Sequence, residues 1–178
     1  MKQHTDALIW ILVAAATASV VALAVFQGRR AEARFSGLSA PDLSLPRLDG
    51  RGKSPLPHSK VTVVDFWATW CAPCRASMPR VQKVWQEYRL RGLEIYSVDT
   101  DDPAPNREPA VRNFLIENGL TFPVVIDDGS AAKAFAVTSL PTMLLLDRQG
   151  KIVWSRVGAL TMNDERDLRG AIERSLGR

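Results

Sequence analysis

The sequence predicts an α/β domain, a mixed β-sheet flanked by helices on both faces, preceded by an N-terminal transmembrane helix. Three observations predict this arrangement. Residues 7–26 carry no charge, β-branched segments alternate with helically periodic segments from Val61 onward, and the last two predicted strands form a hairpin before a final helix. Strands that alternate with helices predict parallel pairs, and the hairpin adds an antiparallel pair. The sheet is therefore expected to be mixed.

The composition is that of a globular protein and excludes several classes of function. The chain has 178 residues, of which 46% are hydrophobic and 24% charged, with a formal net charge of +4. These values exclude wholesale disorder and a fibrous repeat. The basic excess is mild and spread along the chain, so no nucleic-acid partner is expected. Two cysteines and two histidines form neither a disulfide scaffold nor an ordinary four-ligand zinc site, so no resident metal is expected.

The N-terminal segment predicts a membrane anchor. Residues 7–26 are a run of 20 residues in which only Thr17 and Ser19 are polar, and a helix of this length spans about 30 Å, the hydrocarbon thickness of a bilayer. The alternative is a cleaved signal sequence, because Lys2 precedes the run and 22–24 resembles a cleavage site. We favour the anchor, since the apolar part of a signal sequence is typically about 7 to 15 residues long.

The anchor divides the chain into four segments. Residues 1–6 are a short N-terminal flank, residues 27–39 are an unpatterned polar tether, and residues 40–178 are the folded domain. Three arginines follow the anchor in the tether and one lysine precedes it. By the positive-inside rule, this count would place the domain in the cytoplasm. The family resemblance described below implies the opposite side of the membrane.

Short local patterns predict the strands of the domain. An alternating segment at 43–45 runs into the turn signal at 49–50, and the stretch 51–60 is expected to be irregular. β-branched and aromatic residues over 61–67 predict a buried strand. Later apolar runs predict further strands, expected at 93–98, 122–126, 142–146 and 151–157.

Apolar residues at helical spacing predict four helices between and after these strands. The first helix follows the two cysteines and stops before Gly92, and the second contains 111–115 and ends at Gly119. A short helical turn is expected at 131–136. The last helix contains 168–175 and follows a possible cap at 161–164.

The candidate chemistry is concentrated in the segment Trp70-Cys71-Ala72-Pro73-Cys74, which closes a predicted strand and opens a predicted helix. At a helix start Cys71 faces free N–H groups and the positive end of the helix dipole, which favours the thiolate. Cys74, one turn inside the helix, would be shielded and close enough to form a reversible disulfide. The alternatives are two cysteines that only pack in the core, or half of a zinc site. The strand-to-helix position favours a redox pair.

This segment resembles the thioredoxin superfamily. Residues 64–74 are similar to its active-site strand and loop, and Pro79 to its helix-kinking proline. The segment Leu140-Pro141-Thr142 is similar to its cis-proline segment, and 156–160 to its final loop. The resemblance covers 40–176 and implies a thioredoxin-like fold.

Further motifs resemble the membrane-tethered TlpA and ResA type of thiol-disulfide oxidoreductase. They are Ala40-Pro41-Asp42-Leu43, Leu48-Asp49-Gly50, Phe66-Trp67-Ala68-Thr69-Trp70 and Arg75. The extra helix and strand between Pro109 and Asp127 agree with the insertion of that group. The resemblance implies a single-pass protein of the bacterial inner (cytoplasmic) membrane, whose catalytic domain faces the periplasm or the cell exterior.

Two residues depart from the pattern of this group. Ser77 stands where the tethered proteins often have glutamate, so it supplies no carboxylate there. Thr142 follows Pro141 where the branch that matures cytochrome c commonly has glutamate. The threonine after Pro141 therefore weighs against a role in cytochrome c maturation.

The mechanism implied by the resemblance is thiol-disulfide exchange. Cys71, as a thiolate, attacks a client disulfide, and Cys74 resolves the mixed disulfide by attacking Cys71. Asp65 is the expected acid/base group for Cys74, because a carboxyl buried in a strand is desolvated; the alternative is a purely structural acid. In thioredoxin a lysine on the next strand accompanies this acid, and here Ile95 stands in its place. No cofactor is implied beyond the redox-active Cys71–Cys74 disulfide.

Four residues are expected to support client docking. Trp70 would cover the cysteine pair, although it could equally be a core aromatic, and Pro73 lies between the cysteines. The resemblance implies that the Leu140–Pro141 peptide bond is cis and that Pro141 packs beside the Cys71 sulfur. Leu140 would then pair with the backbone of an extended client chain.

The expected direction of the reaction is reduction, because the residues between the cysteines include no histidine of the kind found in strong oxidants. The implied partners are disulfide-containing client proteins, such as apocytochrome c or copper-site proteins, and a membrane thiol-reductase that donates electrons. The sequence leaves open the client, the donor, the reduction potential, the net direction of electron flow, the cleavage of the N-terminal segment and the oligomeric state.

A function from another class is delivery of copper(I) held by Cys71 and Cys74, since soft thiolates suit that ion. Related copper-handling proteins of this superfamily use a wider cysteine spacing and a distant histidine. This domain has only His58, in a Pro-rich loop before the catalytic strand. Reduction is therefore the favoured reading.

Overall fold

The computed structural model describes residues 10, 13–23, 26 and 32–177. The chain divides into two compact units, residues 1–34 and 35–178. In the first unit 13–23 are helical, and no helix among the described residues is both long and apolar enough to cross a membrane. The predicted anchor at 7–26 lies partly outside the described residues. The predicted flank and residues 27–31 of the predicted tether also lie outside them.

The second unit is built on a five-stranded mixed sheet in the order β5-β4-β3-β6-β7. Strands β3, β4 and β5 are parallel, whereas β6 runs antiparallel to both β3 and β7. The strands are β1 (Ser44–Pro46), β2 (Lys53–Pro55), β3 (Val61–Trp67), β4 (Leu93–Asp99), β5 (Val124–Ile126), β6 (Thr142–Leu146) and β7 (Ile152–Val157). The helices are α1 (Ala72–Tyr88), α2 (Arg107–Glu117), α3 (Ser130–Ala134) and α4 (Met162–Leu176). The predicted mixed sheet is confirmed.

The central strand β3 contributes side chains to a core on each face of the sheet, because successive residues of a strand point to opposite faces. All seven of its residues are buried. Val63 and Trp67 pack in one core with side chains of α1 and α4. Val64 and Phe66 pack in the other core with Phe135, which directly follows α3. Helices therefore cover both faces, as the sequence predicts.

Helix α1 begins after a short loop that follows β3, and it ends where the sequence predicts. Cys71 is its N-cap, and Pro73 lies in its first turn, where a missing N–H leaves no intrahelical bond unmade. A single 3-10 turn at Arg89–Arg91 follows, and Gly92 closes it with a φ of 103°, a left-handed conformation that favours glycine.

One prediction about the start of the domain is wrong. The stretch 51–60 was expected to be irregular, but Lys53–Pro55 pairs with Ser44–Pro46 as the second strand of a hairpin. The Asp49 carboxylate accepts a hydrogen bond from the Arg51 backbone N–H at 3.0 Å and three from the Arg47 guanidinium. These contacts hold the turn that brings the two short strands together.

Candidate active site

The two cysteines form a disulfide at the start of α1, with their Cα atoms 5.2 Å apart. The Cys71 sulfur also accepts a hydrogen bond from the Cys74 backbone N–H at 3.3 Å, as an N-cap group does. Both residues are buried, at 4% and 1% exposure. The strand-to-helix junction thus directs the Cys74 backbone N–H at the Cys71 sulfur, and a helix start of this kind stabilises a thiolate once the pair is reduced.

The disulfide lies at the rim of an open groove of about 460 Å³. Trp70 is 67% exposed and lines this groove, so it is not a core aromatic residue. Leu140 is half-buried and also lines the groove, whereas Pro141 is buried. The complete lining is Trp70, Cys71, Ala72, Pro73, Thr100, Ala132, Val137, Thr138, Ser139 and Leu140.

The cis-proline segment forms part of the groove. The Leu140–Pro141 peptide bond is cis, as the resemblance implies. The Thr142 hydroxyl donates a hydrogen bond to the carbonyl oxygen of Ser139 at 2.7 Å, which ties the first residue of β6 to the loop before it. Leu140 therefore stands between a fixed strand and the open groove.

Asp65 is a buried acid in the middle of β3, with 2% of its surface exposed. Alternation along the strand places its side chain on the same face as Val63 and Trp67, the face whose core also contains both cysteines. Burial raises the pKa of Asp65 to about 7, because an apolar environment penalises the charged form. On β4 the residue that pairs with Asp65 is Ser97, whereas Ile95 pairs with Val63, so the expectation that Ile95 stands in the place of the thioredoxin lysine is wrong. Ser97 is buried and, as a neutral hydroxyl, brings no cation.

Hydrogen bonds that sequence reasoning missed hold the loop before the cysteines. Both the backbone N–H and the hydroxyl of Thr100 donate to the carbonyl oxygen of Trp67, at 2.8 and 2.9 Å. The Asp101 carboxylate accepts from the backbone N–H of Thr69 at 2.8 Å and from its hydroxyl at 2.7 Å. The only sequence signal was a short acidic run after a predicted strand, which is also typical of an ordinary loop.

A buried arginine, also missed, connects α2 to the sheet. Arg107 is 8% exposed, and its guanidinium donates to the carboxylate and backbone carbonyl of Asp99 and to the backbone carbonyl of Asp127, each at 2.8 Å. Burial and the nearby charge of Asp101 raise the pKa of Asp99 to about 6, although the Arg107 guanidinium opposes this rise. Buried charges are tolerated when they are paired and hydrogen-bonded in this way.

Ser77, the departure noted in the sequence, has a structural role. Its hydroxyl donates to the carbonyl oxygen of Pro73 at 3.0 Å and accepts from the backbone N–H of Leu160 at 2.8 Å. The side chain thus joins the first turns of α1 to the loop before α4. It brings no carboxylate to the cysteine pair.

Among the described residues, no group of three or more histidine, cysteine, aspartate or glutamate side chains could hold a metal ion. His58 precedes β3 and the cysteines follow it, so they lie at opposite ends of a seven-residue strand. Its Nε2 atom lies 2.9 Å from an Asp42 carboxylate oxygen. No observation in the described part of the chain favours the copper(I) alternative.

Comparison with known proteins agrees with this geometry. Residues 36–155 match the AhpC/TSA family. Thiol-disulfide oxidoreductase ResA of Geobacillus thermodenitrificans (strain NG80-2) is 36% identical over 130 residues, which are 72% of each chain. Thioredoxin-like protein YneN of Bacillus subtilis (strain 168) is 38% identical over 130 residues, which are 72% of this chain and 75% of that protein.

A solved structure shows the same fold. The thiol:disulfide interchange protein DsbE of Chlorobium tepidum superposes with a TM-score of 0.70 and 31% sequence identity, over 80% of this chain and 98% of that chain. The chain therefore belongs to the AhpC/TSA family and is, within it, a thiol-disulfide oxidoreductase of the ResA type with a thioredoxin-like fold.

Proposed function

We propose that the protein reduces disulfides of exported proteins. The observation that carries the proposal is the Cys71–Cys74 disulfide at the start of α1, beside an open groove. In the reduced enzyme the Cys71 thiolate attacks one sulfur of a client disulfide, and the other client sulfur leaves as a thiolate. The Cys74 sulfur then attacks Cys71 and releases the second client thiolate. The client gains two electrons and the enzyme pair becomes a disulfide.

Asp65 supplies the proton transfer of the second step. Cys74 has to lose its proton before it can attack, and a carboxylate with a pKa of about 7 accepts that proton near neutral pH. The released client thiolates are protonated from solvent. Asp65 acts as a general base for Cys74, while Cys71 depends on the helix start for its thiolate.

The residues between the cysteines support reduction as the direction of the reaction. Ala72 and Pro73 bring no imidazole beside the Cys71 sulfur, and a less stabilised thiolate makes the pair a better reductant. Each catalytic cycle leaves Cys71–Cys74 oxidised, so a membrane thiol-reductase has to return two electrons. Apocytochrome c and copper-site proteins, whose cysteines need to be reduced before they bind their cofactor, are the proposed clients.

The proposed location is the bacterial inner membrane, with the catalytic domain in the periplasm or at the cell exterior. The uncharged run at 7–26 supports an anchor. Its two polar side chains also support it, because Thr17 donates to the carbonyl oxygen of Ala14 at 2.9 Å and Ser19 to that of Ala15 at 2.8 Å. Hydroxyl groups bonded to the helix backbone in this way need no water.

Trapping of mixed disulfides tests the proposal. Cys74→Ser leaves Cys71 in a stable mixed disulfide with its client, and the matched control Cys71→Ser removes the attacking sulfur. We expect exported proteins with paired cysteines in the first sample only. In addition, wild-type Cys71 and Cys74 should be reduced in growing cells and should react with a membrane-impermeant thiol reagent. Trapped cytoplasmic proteins, or a pair that is oxidised at steady state, would contradict the proposed location or direction.

A further inference from the structure

We propose that Asp99–Asp101, the last residue of β4 and the two residues after it, form a positioning element. This element holds the two walls of the open groove beside Cys71 at the spacing that a client polypeptide requires. The first wall is Trp70, and the second wall is the segment 137–140. This inference rests on the proposed use of the groove for client polypeptides. The first wall is held through Asp101 and the second through Asp99, Arg107 and Asp127.

The first wall is held by two hydrogen bonds next to it in the chain. The Asp101 carboxylate binds both the backbone N–H and the hydroxyl of Thr69, at 2.8 and 2.7 Å. Thr69 directly precedes Trp70, whose side chain is largely exposed and has little packing to hold it. The position of the indole over the groove therefore depends on the backbone that Asp101 fixes.

The second wall is held by a longer series of hydrogen bonds. Arg107 bridges Asp99 and the backbone carbonyl of Asp127. The Asp127 carboxylate accepts from the backbone N–H groups of Ala131 and Ala132, at 2.9 and 3.0 Å. The carbonyl oxygen of Ala132 in turn accepts from the backbone N–H of Val137 at 2.8 Å, the first residue of the second wall.

Burial makes this element rigid. Asp99 is fully buried and Arg107 nearly so, and separating a buried pair leaves an uncompensated charge. Thr100, between the two acids, lines the groove and donates twice to the carbonyl oxygen of Trp67. A polypeptide that contacts both walls depends on their spacing. A small disulfide reaches Cys71 without contacting both walls.

Two pairs of neighbouring aspartates allow a matched test. Asp101→Asn and Asp127→Asn keep the size of each side chain. In each aspartate both carboxylate oxygens accept a hydrogen bond, and the asparagine amide retains one accepting oxygen. Asp102→Asn and Asp128→Asn remove the same charge one residue further along, at exposed positions. Each variant is assayed for reduction of insulin and of the small disulfide cystine dimethyl ester, with a chemical reductant that regenerates the enzyme.

We expect Asp101→Asn and Asp127→Asn to lower kcat/KM for insulin by about threefold to tenfold, mainly through KM, since small displacements of a binding wall weaken positioning. The rate with the small disulfide should stay within twofold of the wild-type rate. Both neighbour variants should match the wild type with both substrates. Thr69→Val, which removes one donor and no charge, should shift KM for insulin in the same direction.

The outcomes separate this inference from the proposed function. Insulin kinetics of Asp101→Asn, Asp127→Asn and Thr69→Val that equal those of the neighbour variants would overturn the inference. An equal loss with both substrates would also overturn it, because that pattern belongs to a damaged cysteine pair and not to a displaced wall. Failure of the proposed function is a different result, in which the wild-type enzyme traps no client through Cys71.

Discussion

Replacing Asp65 with asparagine separates its effect on stability from its effect on catalysis. Asparagine has nearly the same shape as a protonated aspartate, so the packing of β3 is preserved. The pKa of Asp65 is about 7 in the folded protein and 3.8 for an ordinary aspartate. Between these two values the folded protein holds a proton that the unfolded chain has released. The free energy of unfolding therefore falls as the pH rises through this interval.

The size of the effect follows from the same values. A difference of about three pH units at about 1.4 kcal/mol each amounts to about 4 kcal/mol lost above pH 7. About two of these three pH units lie above pH 5, so the free energy of unfolding of the wild type should fall by about 3 kcal/mol between pH 5 and pH 9. The asparagine variant has no such proton to lose. Relative to the wild type, its free energy of unfolding should rise by about 3 kcal/mol over that interval.

Urea unfolding of the oxidised protein at pH 5, 7 and 9 measures this difference. In the oxidised form the cysteines do not titrate, and the other acids contribute equally to both proteins. Asp102→Asn, at an exposed position, serves as the control and should follow the wild type. Parallel curves for the wild type and Asp65→Asn across this range would refute the assignment of a raised pKa to Asp65.

The effect of Asp65→Asn on catalysis is measured in the reduced form of the enzyme. If Asp65 accepts the proton of Cys74, the asparagine variant should form the mixed disulfide at the wild-type rate and resolve it about a hundredfold more slowly. In the wild type the resolution rate should fall below pH 7, where Asp65 is protonated. Stopped-flow measurement of both steps tests this. An unchanged resolution step would remove Asp65 from the mechanism.

Three contacts described above give further predictions. In the reduced protein at pH 7, Cys71 should be alkylated about tenfold faster than Cys74, because only Cys71 caps the helix; mass spectrometry of the alkylated peptides measures this. Ser77→Ala should lower the free energy of unfolding by about 1 to 3 kcal/mol, since it leaves a buried N–H unpaired. Arg107→Met should lower it by about 3 to 5 kcal/mol, because Asp99 is left as a buried, unpaired acid. Urea unfolding measures both.

Matched variants check the two expectations about stability. Ser175→Ala removes a hydroxyl that bonds only within its own helix and should cost less than Ser77→Ala. Arg51→Met removes a largely exposed arginine and should change the free energy of unfolding by less than about 1 kcal/mol. Equal alkylation of the two cysteines, or equal costs within either matched pair, would contradict the corresponding assignment.

The elements that position the cysteines were predictable because their local signals agree. The run at 61–67 is β-branched and aromatic, and it is buried along its whole length. Helix α1 has apolar residues at helical spacing and ends before a glycine that adopts a positive φ. The cap at Thr161 was also predicted, and its side chain and that of Asp164 form a capping box.

The positioning contacts were not predictable from one sequence. Thr69 and Asp101 are 32 residues apart, and Arg107 and Asp127 are 20 apart. Each of these residues lies in or next to a loop, where polar side chains are usually solvated, so no periodicity marks the few that turn inward. The strand at 53–55 was missed for a related reason. Its three residues, Lys53-Ser54-Pro55, have no apolar alternation and pair only because the preceding turn is held by side chains.

Asp65 shows how the same burial serves the fold and the chemistry. An acid among seven buried strand residues is unfavourable for folding when it is ionised, and the surrounding apolar residues of β3 and its neighbours supply the compensating stability. The desolvation that causes this penalty also moves the pKa of Asp65 to about 7, where the carboxyl group can exchange a proton with a thiol. A cation on the neighbouring strand would reduce the penalty and lower the pKa. Because Ser97, the residue of β4 that pairs with Asp65, is uncharged, the folded protein keeps both the cost in stability and a proton that can be exchanged near pH 7.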